Sequence, residues 1–305
     1  GRSVVSWFRL LGRAFLISHG IKQTGVKTFV FEMGGDKPGD MDYLMSLAQP
    51  DLAVVTAVMP NEPDFAPAHT SNFPSMEALI EEEALPVKRL GTQGMAVLNA
   101  DDPRVFAMRH HTDAHVLTFG EVETADIRIL SSQVRCEPGT YGNVPQGVEI
   151  KIQVMHRVES FFIPDVFGRS AVYALAAALG VAVALDIPGE QYADFSTHFH
   201  PMNGRVRIIP GVKYTTLFDD TYNASPAAVV SALRDLGSLE LAPTQRRVAC
   251  LGEMRELGAE AEMLHRRMGV EAAKQRVDLF VACGTFAHAM ADGARANGLT
   301  DDKIQ

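Results

Sequence analysis

Phe218-Asp219-Asp220-Thr221-Tyr222-Asn223-Ala224-Ser225-Pro226 is the stretch on which the reading of this chain turns. An apolar run from Lys213 ends at Asp219 in two carboxylates, a polar turn follows, and Ser225 opens a helix predicted to reach Leu239. Ser225 is a good N-cap and Pro226 suits the first helical position, where its missing N–H costs nothing. A strand, a polar turn and a helix in that order belong to parallel α/β sheets, which bind ligands beyond the carboxyl ends of their strands. A carboxylate there can accept ribose hydroxyls, and the free N–H groups of the helix start favour phosphate. The residues alone leave a second reading open, a capped loop-to-helix junction with no ligand.

Downstream the pattern repeats. A strand at Arg247 to Leu251, a helix from about Glu260 to Gln275, a strand at Val277 to Cys283 and a helix at Thr285 to Asn297 predict a Rossmann-like α/β unit. Immediately upstream, Val206 to Ile209 forms a strand before the Pro210-Gly211 turn, and Pro201-Met202-Asn203-Gly204-Arg205 reads as a linker. Before the linker a larger unit is expected. Lys27 to Met33, Leu52 to Val58, Met95 to Asn99 and His115 to Phe119 are apolar strands of a mostly parallel sheet. Asp40 is placed as N-cap of a helix from Met41 to Ala48. After residue 124, Ile127 to Val134, Gly147 to Val154 and Glu159 to Ile163 alternate as half-exposed strands, a small antiparallel addition. Ser170 to Leu185 is apolar nearly all round and predicts a buried helix. The expected domains are 1–200 and 201–305.

Bulk properties narrow the function. The 305 residues are 47% hydrophobic and carry a net charge of -9. That excess of acid suits neither nucleic acid nor anionic lipid. The longest apolar run, Ala171 to Leu185, is shorter than the ~20 residues a bilayer span needs. Cys136, Cys250 and Cys283 fit no zinc spacing and read as small buried residues of a reducing cytosol. A cytoplasmic monomer is expected. The chain opens at Gly1 and stops at Gln305 without a finishing element, which suggests part of a longer protein.

Several pieces, in order, resemble the Mur ligases. They are Glu32-Met33-Gly34 with Lys37-Pro38-Gly39-Asp40; Ala68-His69 with Ser75-Met76-Glu77-Ala78; and Ala96-Val97-Leu98-Asn99-Ala100-Asp101-Asp102-Pro103. Gly204-Arg205, the Asp219 to Pro226 stretch and Leu251-Gly252-Glu253-Met254-Arg255-Glu256-Leu257-Gly258 complete the set. Within the family the likeness is greatest to the ligases that add D-alanyl-D-alanine to a UDP-N-acetylmuramoyl-peptide.

The resemblance implies an ATP-dependent amide ligase of peptidoglycan precursor synthesis, working through an acyl phosphate with ATP and Mg2+. D-alanyl-D-alanine or another amino acid would be the acceptor. Glu32 and His69 would hold the magnesium ion, Arg205 would contact ATP phosphates, and Asp219 would meet the ribose. Asp220, Tyr222 and Asn223 would line the nucleotide or acceptor side. His265 also falls on a family position, although helical spacing favours a surface place for it.

There are departures. No G-x-x-x-x-G-K-[ST] loop occurs in the 305 residues, and the resemblance places that loop before the Glu32 strand. Where family members often carry a carbamylated lysine, alignment by spacing puts Glu83, whose carboxylate is the expected substitute; Glu81 to Glu83 otherwise form a solvated helical face. At Gly168-Arg169-Ser170 and Ala174 the adenine-contacting pattern is incomplete. The 305-residue chain is therefore expected to be inactive alone. Two other readings stay open: a non-catalytic nucleotide- or partner-binding protein, and a ligase of the folylpolyglutamate or cyanophycin type.

Overall fold

Leu52-Ala53-Val54-Val55 and Met95-Ala96-Val97-Leu98-Asn99 form parallel neighbours β1 (Leu52–Val55) and β2 (Met95–Asn99). Ala96, Val97 and Leu98 have no solvent exposure. Burial on both faces is what a parallel strand needs, since helices cover the sheet from above and below. The computed structural model describes residues 25–58, 72–255 and 257–305. β3 (His115–Gly120) continues the parallel order and pairs with the first residues of β4 (Ile127–Gly139). β4, β5 (Gly142–Val154) and β6 (Arg157–Pro164) then run antiparallel. The result is one six-stranded sheet in sequence order, so the antiparallel addition grows out of the same sheet.

Two cores flank this sheet. On one face Ala53, Val55, Ala96 and Leu98 pack with Leu79 of α2 (Met76–Glu83), Val87 of α3 (Leu85–Lys88) and Val105 of α4 (Pro103–Ala107), while α1 (Asp40–Leu47) lies against α2 and α3. On the other, Val97, Ile127 and Ile152 meet α5 (Arg169–Ala184), the apolar helix foreseen in the sequence. Gly180 lets α5 approach closely, because a Cβ there would lie 2.6 Å from Val97 Cγ1. α6 (Ala193–His198) follows.

The remaining elements have their own core. β7 (Arg207–Pro210) and β8 (Thr216–Asp219) form an antiparallel hairpin. α7 (Pro226–Ser238), β9 (Val248–Leu251), α8 (Ala261–Lys274), β10 (Leu279–Ala282) and α9 (Ala287–Ala296) alternate as predicted, with β9 and β10 parallel. Phe280 and Ala249 pack among Leu233, Leu264, Met268 and Met290 of the three helices. Ile304 bridges Phe280 in parallel at the outer edge. Among the described residues no helix is long and apolar enough to cross a membrane.

Four local expectations need correction. The chain divides into two compact units, Gly1–Gly34 and Gly35–Gln305. In the first, residues 25–34 hold no strand, so the one expected at Lys27 to Met33 is not formed. Val30 is 92% exposed, and an apolar run cannot keep its N–H and C=O groups in a strand without a neighbour to pair them. Secondly, Asp40 is not the N-cap of α1. Gly39 is, and the Asp40 carboxylate turns back to accept from Asp36 N and Lys37 N, both at 3.1 Å.

Thirdly, Glu82 is not on a solvated face. It is buried, and its Oε1 accepts from Gly39 N at 2.9 Å and Met41 N at 2.8 Å, satisfying helix-start donors that no side chain of α1 reaches. Fourthly, all three cysteines are exposed. Cys136 lies on the outer part of β4, and Cys250 and Cys283 face away from the helices that cover the other side of the β9–β10 pair.

Candidate functional site

Asp219 closes β8 and Ser225 opens α7, with Ser225 Oγ accepting from Ala228 N at 3.4 Å. The turn between them is tied to the segment before β7. Gly204 N donates to Asp219 Oδ2 at 3.1 Å, Tyr222 N donates to Gly204 O at 3.0 Å, and Val206 N donates to Asp220 Oδ1 at 3.3 Å. The Arg205 guanidinium lies 4.4 Å from the centre of the Tyr222 ring, a cation–π contact between two exposed side chains. Gly204 is required here: its φ is +76°, and a Cβ would sit 2.8 Å from Tyr222 N. Val206 follows at φ +39°, a conformation uncommon for a β-branched residue and held by this interlock.

The two carboxylates differ in character. Asp219 also accepts from Thr221 Oγ1 at 2.7 Å and Thr221 N at 3.3 Å. The Thr221 hydroxyl first, then the two backbone N–H groups, hold its carboxyl below the ordinary aspartate range. Burial pushes Asp220 the other way, only partly offset by Val206 N and the Arg205 charge. The carboxyl that knits the turn is thus shifted toward its ionised form and its neighbour away from it. The junction presents Arg205, Tyr222 and Asn223 to solvent at the carboxyl end of β8. Asn223 Oδ1 accepts from its neighbour Ala224 N at 3.0 Å, which leaves its amide N–H groups directed elsewhere.

Glu32 is exposed in the first unit, and His69 lies outside the described residues. Glu83 ends α2 and is half-buried. Among the described residues no group of three His, Cys, Asp or Glu side chains could hold a metal ion.

Sequence reasoning misplaced His265. It is fully buried, stacked on Phe286 at 4.6 Å, accepts from Met254 N at Nε2 (2.9 Å), and approaches Ala261 O at Nδ1 (2.7 Å). A backbone N–H aimed at Nε2 requires that atom to be the acceptor, so the proton sits on Nδ1. His265 thereby fixes the loop after β9. The signal that could have found it was the apolar spacing of Leu264 and Met268 on the same helix.

A second network organises the carboxyl ends of β1 to β3. Asp101 accepts from Glu121 N (2.7 Å), Val122 N (3.0 Å) and the Tyr173 hydroxyl (2.8 Å). Asp102 accepts from Val58 N at 3.1 Å and caps α4 through Arg104 N at 2.9 Å, while Asn99 Nδ2 donates to Thr56 O at 2.7 Å. Burial and the Asp101 bond raise the Tyr173 hydroxyl well above the usual tyrosine range, keeping it a donor.

Models of two domains match this chain: the Mur ligase middle domain over residues 16–182, and the Mur ligase glutamate ligase domain over residues 204–304. The chain belongs to the Mur ligase family. Among curated relatives, the UDP-N-acetylmuramoyl-tripeptide–D-alanyl-D-alanine ligase of Bacillus subtilis is 26% identical over 265 residues, covering 87% of this chain and 53% of its own length. MurF from Acinetobacter baumannii shares the fold with a TM-score of 0.73 at 21% identity, covering 90% of this chain and 54% of that one. MurF from Thermotoga maritima in complex with ADP does so with a TM-score of 0.68 at 20% identity, covering 90% and 56%. This Mur ligase chain thus spans about half the length of the curated relatives it matches.

Proposed function

We propose that the chain is the middle and C-terminal part of a cytoplasmic ATP-dependent ligase that adds D-alanyl-D-alanine to a UDP-N-acetylmuramoyl-tripeptide, with domains at 1–200 and 201–305. The observation that carries the reading is the interlock of Gly204-Arg205 with Asp219 to Tyr222 in front of a capped helix. It sets a guanidinium and exposed polar groups beside the capped start of α7, and helix starts of this kind favour phosphate. The relatives' printed function and the ADP bound by one of them support the same chemistry.

In that reaction a substrate carboxylate oxygen attacks the γ-phosphorus of ATP, and ADP leaves. The amine of the acceptor then attacks the acyl carbon of the acyl phosphate, inorganic phosphate leaves, and the amine gives up a proton. Catalysis is chiefly positioning and charge neutralisation. Arg205 supplies a cation toward the phosphates. Asp219 keeps the turn in shape and, through Gly204 N, fixes where Arg205 starts. Asp220, Tyr222 and Asn223 line the nucleotide or acceptor side. Glu32 and His69 stay proposed magnesium ligands, and Glu83 the proposed carboxylate beside them, on resemblance alone. The described residues do not by themselves make a metal site.

The 305 residues hold no phosphate loop, so the phosphate grip of this polypeptide rests on the junction. Titration with a fluorescent ADP analogue is expected to show weak binding that Arg205→Ala lowers a further ~10-fold or more, about the loss of one charge-assisted hydrogen bond. ATP-dependent phosphate release is expected at background. Ordinary turnover, or affinity indifferent to Arg205→Ala and Asp219→Ala alike, contradicts the proposal.

A further inference from the structure

We propose that His265 is a proton-sensitive pin: as a neutral imidazole it positions the loop after β9, and its protonation releases that loop while the elements around it stay folded. The proposal goes beyond the catalytic reading and does not rest on it. β9 and β10 are parallel neighbours, and open parallel sheets take ligands beyond the carboxyl ends of their strands, which is where this loop lies.

Three attachments hold the loop. Met254 turns its side chain into the core beneath, among Leu264 and Met268. Glu253 accepts from Thr285 N at 3.2 Å, in the segment after β10. Gly284 permits that approach: its φ is +98°, and a Cβ there would lie 2.9 Å from Glu253 Cβ. The third attachment is the bond from Met254 N to His265 Nε2 at 2.9 Å. The ring is fixed for it on two sides, by Ala261 O at Nδ1 (2.7 Å) and by the stacked Phe286.

Protonation acts on the third attachment alone. A neutral imidazole accepts at one nitrogen and donates from the other, whereas a charged ring donates from both. Nε2–H would then face Met254 N–H, two donors opposed at a residue with no solvent exposure. Burial leaves neither donor a water to turn to, so the contact is lost. The Glu253 attachment does not fail with it. The Thr285 hydrogen bonds hold that carboxyl below the ordinary glutamate range, so it keeps its charge while an imidazole, which titrates at about pH 5 to 8, gains one. The charged groups around the ring leave this sign unchanged. Glu253 feels the imidazole charge, and Arg255 on the same loop acts on Glu253 in turn. On α8 itself Glu262 and Arg266 pair with each other at 3.9 Å, and Arg266 also meets Asp292 of α9 at 3.4 Å, all three well exposed. The segment leading to α9 offers the ring Phe286, which carries no charge.

The test is amide hydrogen exchange of the 305-residue chain from about pH 7.5 to about pH 4.5, expressed as protection relative to the unfolded rate at each pH, with the His265 ring nitrogens followed by 15N shifts. At the upper end the Nδ1–H tautomer and a protected Met254 amide are expected. As the ring charges, Met254 is expected to lose protection at least ~10-fold, the cost of one buried hydrogen bond. Leu279, whose amide donates to Arg247 O, and Met268 within α8 are expected to keep theirs. His265→Gln offers an amide oxygen in place of Nε2 and does not titrate, so the dependence on pH is expected to vanish. His265→Phe has no acceptor and is expected to leave Met254 unprotected throughout. If the phenylalanine variant does not fold, the comparison of parent with His265→Gln decides. A ring that charges without loss at Met254, or that stays neutral across the range, overturns the proposal. So does protection lost by Met254, Leu279 and Met268 together, or the parent's pH dependence retained in His265→Gln.

Discussion

Asp235 of α7 shows how one side chain can couple distant parts of the chain at a measurable cost. Its Oδ2 accepts from Arg169 N at 3.3 Å, at the start of α5, so a carboxylate faces the positive end of a sixteen-residue helix. Burial nevertheless dominates and raises its pKa, with the Arg169 N–H and charge only partly compensating. The sign follows from linkage: a folded-state pKa above the unfolded value means the folded chain binds the proton more tightly, so stability declines as pH rises through that range and levels off above it. Asp235→Asn keeps an acceptor for Arg169 N and removes the buried charge. It is expected to be as stable as the parent or more so at pH 7, and to lose ground relative to the parent as pH drops toward 4. Urea unfolding midpoints at both pH values check this; a large loss at pH 7 contradicts it. None of this was visible beforehand, because burial of an aspartate on an amphipathic helix depends on what packs across from it.

At the scale of elements, α8 and α9 meet through glycine. A Cβ on Gly269 would lie 2.8 Å from Met290 C and 2.9 Å from Ala294 N, and one on Gly293 would lie 2.9 Å from Arg266 C. The two backbones touch at reciprocal positions, with Met268 and Met290 sealing the contact. Gly269→Ala and Gly293→Ala are each expected to cost ~1–3 kcal/mol despite alanine's better helix propensity, because overpacking outweighs the gain. Their double variant should lose less than the sum, since the first displacement makes room for the second. Thermal unfolding of the three variants measures both.

Elements were the most legible level of this protein. Met95 to Asn99 was placed to the residue because an uninterrupted apolar run between turns has one good reading. The helix after Ser225 was placed within a residue because its cap and Pro226 mark the start. Lys27 to Met33 failed for the opposite reason: pattern specifies a strand's face, not its neighbour. The Glu82 cap of α1 and the 13-residue length of β4 and β5 escaped because both depend on long-range contacts.

For the molecule as a whole, the family and the α/β architecture were readable from motif order, while the candidate site was readable only in part. Arg205, Asp219, Asp220 and Tyr222 lie together because hydrogen bonds join the segment before β7 directly to the end of β8. The roles foreseen for the two aspartates shift, however: their carboxylates bind the linker's own N–H groups, so much of their capacity is spent on shape. We propose that this junction faces the nucleotide. The most direct measurement is an amide chemical-shift titration of the 305-residue chain with ADP. Shifts concentrated at Gly204, Arg205, Tyr222 and Asn223 are predicted; a titration that leaves those amides still while others move, such as those of the polar cleft at Lys88, Thr92 and His111, contradicts it.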